Sequence, residues 1–240
     1  MSLPKLLFAL LAMREPSKTR HIPLFVVFGI PGSGKSTVAS KAIDMLVEAK
    51  QSSSAESFQP LCLDLDVCVP QWMRDNFARG IYPSLSQREE FAASCCAYVD
   101  ESLQQAITTA SMNEGGERGV TAAVISFSFV NEDLRDNFRK RFPESQWVLI
   151  QTAEDEAQRR IAQREGHFYK GKAATVVRDE LFSSDDSRNN KQPNDDTTDN
   201  SEWDFAPVAF PHTILDGNNP IEQNAAEVAK MVQRAFLRVA

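Results

Sequence analysis

The chain is short of what several protein classes require. Positive charge is in deficit: 26 Lys and Arg against 33 Asp and Glu give a net charge of −7 over 240 residues. That balance argues against a general nucleic-acid binder, whose footprint is basic. Long apolar runs are also missing. The apolar octet Leu6 to Met13 is far too short to cross a bilayer. It is expected to form a short helix packing on the domain edge, with an organellar targeting segment as second reading and the core of a secretory signal as a weaker one. The four cysteines, Cys62, Cys68, Cys95 and Cys96, match neither zinc-ligand pairs nor a redox C-x-x-C. They read as reduced thiols acting as small buried hydrophobes. No internal repeat is present. The rest is ordinary: 42% hydrophobic and 25% charged residues exclude both a disordered chain and a membrane bundle. The length fits one α/β domain with insertions, or one domain plus a small lid. Small molecules are the expected partners, with neither membrane nor nucleic acid, in the cytoplasm; a homodimer is compatible with everything above.

Against this background one stretch stands out. Leu24-Phe25-Val26-Val27-Phe28 runs into Gly29-Ile30-Pro31-Gly32-Ser33-Gly34-Lys35-Ser36-Thr37, and a helical pattern begins at Val38. The spacing G-x-x-x-x-G-K-[ST] between a strand and a helix is that of a phosphate-binding loop. Gly29, Gly32 and Gly34 permit positive φ and close approach, so that backbone N–H groups, that of Ser33 among them, can face a polyphosphate at the positive end of a helix. Lys35 would reach the β- and γ-phosphates of ATP, Ser36 would ligate Mg²⁺, and Thr37 would begin the helix. No N-K-x-D guanine signature accompanies the loop.

Alternating apolar strands and amphipathic helices follow. Strands are expected at Leu61–Leu63, Val120–Ile125, Trp147–Ile150 and Pro207–Leu215. Helices are expected from Val38 to Ala49, from Pro70 to Tyr98 with a break at Gly80–Pro83, through Leu134, Phe138 and Phe142, from Glu154 with Ala157, Ile161 and Ala162 inward, and through Val228, Val232 and Phe236. Such βα alternation implies a three-layer α/β/α fold of the P-loop NTPase type with a mostly parallel central sheet. Residues 183–202 are polar and acidic and are expected to be a flexible insertion.

The second strand ends in Asp64-Leu65-Asp66. If the chain stays extended, both carboxylates point the same way, into the crevice at the carboxyl end of a parallel sheet. One of the pair can hold Mg²⁺ through water and the other can orient or deprotonate an acceptor hydroxyl. Arg74, Arg79 and Arg88 are candidates to clamp an anionic substrate.

Three blocks together resemble the gluconokinase family of P-loop small-molecule kinases, relatives of shikimate and adenylate kinases: the loop; Asp64-Leu65-Asp66 with Pro70, Gly80 and Arg88; and Arg160-Ile161-Ala162-Gln163-Arg164-Glu165-Gly166-His167-Phe168, similar to the family's R-L-x-x-R-x-G-H-F lid. The resemblance implies one kinase domain over 22–240 behind an extension at 1–21, with a small helical lid around 158–182. It implies transfer of the γ-phosphoryl group of ATP, with Mg²⁺, to a hydroxyl of a small anionic metabolite, a sugar acid and gluconate first. Asp64 would then assist the metal, and Asp66 would orient or deprotonate the acceptor. Arg160 and Arg164 would close over ATP, Arg88 would meet substrate, and His167 would either contact the acceptor or fix the hinge of the lid. Asp216 with Pro220 resembles the segment beside the adenine ring. Shikimate-like or nucleotide kinases, and an ATP-binding regulatory protein, are the alternatives.

The departures from the family pattern gather in the acceptor region. Met73 and Asn76 stand where the family has Asn and Lys, and Val69 replaces a histidine. Ser126-Phe127-Ser128-Phe129 replaces S-A-L-K. A sugar acid needs polar partners for its hydroxyls and a cation for its carboxylate, so the acceptor is where the sequence is least informative.

Overall fold

The computed structural model describes residues 22–51, 59–112, 122–164 and 205–239. The apolar octet, His167, most of the expected lid and the acidic stretch 183–202 lie outside the described residues.

Strand β1 (Leu24–Phe28) is buried along its whole length. Its side chains alternate between two cores: Leu24, Val26 and Phe28 face one, Phe25 and Val27 the other. That two-sided burial is why the run is continuously apolar rather than alternating. Helix α1 (Lys35–Gln51) follows, then β2 (Pro60–Asp64), a 3-10 turn over Leu65–Cys68, α2 (Gln71–Ala78) and α3 (Leu85–Met112). Strand β3 (Ala122–Phe127), α4 (Glu132–Arg141), β4 (Gln146–Gln151), α5 (Glu154–Ala162), β5 (Thr213–Asp216) and α6 (Ile221–Val239) complete the order.

The five strands form one parallel sheet in the order β2-β3-β1-β4-β5. On one face, Val38, Ala42 and Leu46 of α1 and Val228 and Val232 of α6 cover the sheet. On the other, Phe91, Cys95 and Val99 of α3 pack with Leu134 and Phe138 of α4. The architecture is therefore three-layer α/β/α, as expected. α4 has Glu132 and Asp133 in its first turn and Arg139, Lys140 and Arg141 in its last, which complements the helix dipole. It ends at Arg141, two residues before Pro143, which cannot continue it.

Several expectations are corrected. The third strand reaches Phe127, so Ser126 and Phe127 belong to the sheet. The last strand is only Thr213–Asp216; Pro207 and Pro211 lack the N–H a ladder needs, and residues 207–212 run as irregular chain. Even so, Val208 and Phe210 pack on the core, Phe210 edge-on to Trp147 at a centroid distance of 5.0 Å. Ala162 is exposed, whereas Ala157 and Ile161 are buried. Cys95 and Cys96 are buried free thiols, but Cys62 is exposed because it lies on the outward side of the edge strand β2.

Candidate phosphate-binding and acceptor site

The loop between β1 and α1 is held by contacts only glycine permits. Gly32 has φ 87°, and a Cβ there would sit 2.4 Å from the Ala157 carbonyl oxygen of α5. The loop closes with Ser33 N–H donating to Ile30 O at 3.1 Å. At the amino end of α1 the first N–H groups have no intrahelical partner, so the dipole and the loop present one anion-binding concavity. Ser33 Oγ is buried there with no hydrogen-bond partner among the described residues.

Lys35 is the first residue of α1 and is buried, with Nζ donating to Ile30 O at 3.5 Å. Burial pulls its pKa from 10.5 down to about 8, the nearby Arg164 lowering it further and the Asp66 and Asp64 carboxylates partly opposing. A cation held in a dry concavity against its own solvation is suited to an anionic occupant, which would restore the proton. Polyphosphate affinity is therefore expected to be flat below pH 8, where the amine is already charged, and to fall as pH rises above it. Calorimetric titration of AMPPNP in buffers of different ionisation enthalpy should show proton uptake on binding at pH 8.5 and little at pH 6.5.

The acidic pair is arranged differently from the extended-chain expectation. After Asp64 the chain turns into the 3-10 segment, and the Asp66 N–H donates to Asp64 Oδ1 at 3.0 Å. Asp64 thus caps the turn, and the two carboxylates do not lie on one extended face. Asp66 is carried forward to the cavity that Lys35 lines. Asp64 stays at the strand end, paired in register with Ser126 of β3, whose Oγ donates to Ser36 Oγ at 3.3 Å. Arg74 locks the turn from behind, donating to Asp66 O at 2.7 Å and Val69 O at 2.9 Å. Arg79 bonds Asn76 and Asp75 on the surface of α2. Both arginines are engaged by their own surroundings, and neither lines the cavity that Lys35 and Asp66 border.

A cavity of about 440 Å³ runs from the loop, where Gly34, Lys35, Ser36 and Asp66 line it, to the space between α2, α3 and the β3–α4 connection. Arg164 borders it from the end of α5. Arg88 lines the far part, buried, with Nε on Asp133 Oδ2 at 2.9 Å and Nη1 on Pro83 O at 3.1 Å. Removing one partner of such a pair strands the other charge. Asp133→Ala is accordingly expected to cost about 2–3 kcal/mol in urea unfolding, below the fully buried range because Asp133 is itself partly exposed. Phe129 closes the turn after β3 with φ 47°, an unfavourable region for a bulky residue. Its ring is fixed edge-on between Phe127 and Trp147, with centroids at 5.2 and 5.1 Å, and the bend places Ser128 and Val130 on the cavity wall.

No protein-family model matches the sequence, and no curated protein matches it. Solved structures do. A sugar kinase from Janibacter, unliganded, superposes with a TM-score of 0.55 at 19% identity, over 91% of this chain and 98% of that one. The Mycobacterium tuberculosis APS kinase, solved with AMPPNP and APS, gives 0.53 at 16%, over 88% and 98%. Kti12 of Chaetomium thermophilum, solved with ADP-AlF3, gives 0.50 at 17%, over 89% and 99%. The fold is that of the P-loop small-molecule kinases.

Within this kinase fold the expected site residues separate into two groups. Lys35, Ser36, Asp66, Arg88 and Arg164 share the cavity with Gly34. Thr37 is exposed on α1, which starts at Lys35 rather than after it. Arg160 is turned elsewhere: Nε meets Glu156 Oε1 at 2.7 Å and Nη2 donates to Gly217 O at 3.1 Å. It ties α5 to the turn holding Asp216 and Pro220, and neither of those residues lines the cavity. That turn is self-bonded, Asp216 Oδ1 accepting from Asn218 N–H at 2.8 Å and Asp216 O from Asn224 Nδ2 at 2.8 Å.

Other cavity residues escaped the sequence reading. Thr152 lines the cavity just past β4, with Oγ1 buried and without a partner among the described residues. Its place at the carboxyl end of a central strand was the available signal. Phe205 had none, because it reaches the cavity from far along the chain.

Proposed function

We propose that this chain is an ATP- and Mg²⁺-dependent phosphotransferase acting on a hydroxyl of a small molecule. One observation carries the reading: the buried loop lysine and the Asp66 carboxylate border a single cavity, so a donor phosphate and an acceptor hydroxyl could meet there. The residues fit the donor, since the glycines leave a cradle that a Cβ would obstruct and Ser33 Oγ awaits a partner. The loop N–H groups and Lys35 would hold the phosphates, and Ser36 would ligate Mg²⁺ with Asp64 assisting through water beside Ser126. The metal would neutralise charge on the phosphate oxygens.

Asp66 would receive the acceptor's proton. The acceptor oxygen bonds to the γ-phosphorus as the bond from that phosphorus to the β,γ-bridging oxygen breaks, and ADP leaves with the electron pair. Arg164, which borders the cavity, would face the transferred group. Arg160 would anchor the root of the lid proposed for 158–182 to the turn at Asp216–Pro220. Binding of AMPPNP by the APS kinase neighbour supports a nucleotide here, and the sequence resemblance makes gluconate the first sugar acid to assay. No described helix is long and apolar enough to cross a membrane, in keeping with a cytoplasmic setting.

The test is ADP release by the full chain with ATP and Mg²⁺, with and without a panel of hydroxyl acceptors. Acceptor-dependent release supports a kinase. Tight AMPPNP binding with no release for any acceptor would favour a nucleotide-binding regulatory protein instead.

A further inference from the structure

We infer that the acceptor is an alcohol borne on a flat, largely apolar ring and not a polyol; the inference rests on the kinase reading above and concerns the far end of the same cavity. Beyond Asp66 the walls are Met73, Phe77, Phe91, Phe127, Leu134 and Phe205. These come from α2, α3, β3, α4 and the segment entering at 205, so the apolar wall is contributed by several elements at once. Among the described residues, the polar groups beside these walls are Arg88, bonded to Asp133 and to Pro83 O, and Ser128, while Thr152, Glu154, Gln158 and Arg164 line the cavity from the β4–α5 side. A sugar acid seated against these six side chains would lose water from several hydroxyls at once and recover few hydrogen bonds. A ring would gain edge and face contacts with phenylalanines already oriented, Phe91 and Phe127 having centroids 5.4 Å apart.

Phe205 is one of these walls, and it is held from outside the cavity. Ala206 N–H donates to Val130 O at 3.0 Å, and the buried Arg135 donates through Nη2 to Ala206 O at 2.9 Å. The Arg135 guanidinium also lies over the Phe205 ring, 5.2 Å from its centroid. Arg135 is thus a positioning residue: it fixes Phe205 without entering the cavity. It is buried in an otherwise charged helix, at 1% exposure, and also donates through Nε to Asn131 O at 3.3 Å.

The experiment uses the full chain with two readouts. Binding of indole-3-ethanol, 2-phenylethanol, adenosine and gluconate is followed by saturation-transfer NMR in the presence and absence of AMPPNP, and turnover by ADP release with ATP and Mg²⁺. Ring alcohols should bind, and at least one should stimulate ADP release roughly tenfold better than gluconate. Phe205→Ala should raise the acceptor KM about tenfold with AMPPNP affinity unchanged, and Phe205→Leu should restore most of it. Arg135→Leu should raise the same KM more than it lowers kcat. If gluconate drives turnover while ring alcohols neither bind nor react, the acceptor inference is overturned and the kinase reading survives. If ring alcohols bind but ATP is neither bound nor consumed, the kinase reading fails and the chemistry of the chamber stands. Binding of no ring alcohol under any condition overturns the inference.

Discussion

Replacing Lys35 with alanine is expected to lower acceptor-dependent ATP turnover by roughly 10²–10³-fold, the cost of removing a preorganised charge from a water-poor phosphoryl-transfer site, while the protein stays folded. The second half follows from burial. Lys35 is only 7% exposed, and desolvation is the leading reason its pKa falls to about 8. Its charge is therefore destabilising to the empty protein, and alanine should leave stability at neutral pH unchanged or higher. The sign of the pH dependence is fixed by linkage. Between about 8 and the ordinary 10.5, the unfolded chain holds the proton that the folded chain has lost. Unfolding free energy then rises with pH through that window in the native protein, and the alanine variant should lack that contribution. Urea unfolding at pH 7 and 9.5, compared between the two proteins, measures it. Undiminished turnover by Lys35→Ala would remove the assignment of the donor site.

Gly32→Ala should disturb the site by a different route. The residue sits at φ 87°, and the added methyl would lie 2.4 Å from Ala157 O and 3.0 Å from its carbonyl carbon, both backbone atoms of α5. Neither the turn nor the helix can give without moving the other. The left-handed backbone alone costs about 1–2 kcal/mol, so the melting temperature of a chain this long should fall by roughly 2–8 °C. Because α5 carries Ile161 on the cavity wall and leads directly to Arg164, which also borders it, AMPPNP affinity should drop at least about tenfold as the loop opens. Gly34→Ala is the control. It shares φ 87°, but its nearest neighbour is Ile221 Cδ1 at 3.4 Å, the end of a flexible side chain. It should therefore leave α5 in place, as amide exchange in residues 154–162 would show. Equal protection of α5 in both variants would mean that the Gly32–Ala157 approach is not what positions it.

The central fold was legible because its signals are local. A strand buried on both faces must be apolar throughout, and a glycine-rich turn between such a strand and a helix has few other uses; Val26 to Lys35 shows both. Asp64 and Asp66 were legible as residues but not as geometry. The choice between continuing the strand and turning was made by the Asp64 side chain bonding the Asp66 N–H, a local competition that spacing does not reveal. Arg135 illustrates a second limit: it sits in Glu132–Arg141, a helix dense in charge, and nothing in that pattern distinguishes the arginine that turns inward to a distant carbonyl. Phe205 is the extreme case. It meets Phe28 at a centroid distance of 6.2 Å, a contact that only the assembled sheet creates. The proposed donor half of the site thus follows from consecutive residues, whereas the proposed acceptor half is assembled from α2, α3, β3, α4 and the chain entering at 205.

The most direct test of the account follows the terminal phosphoryl group itself. The full chain is incubated with γ-labelled ATP, Mg²⁺ and the acceptor panel, and the products are separated by mass spectrometry. The account predicts label in an organic phosphoester in amounts matching the ADP formed, with Lys35→Ala producing neither. Label recovered only as inorganic phosphate, or ATP left intact with every acceptor, would contradict it.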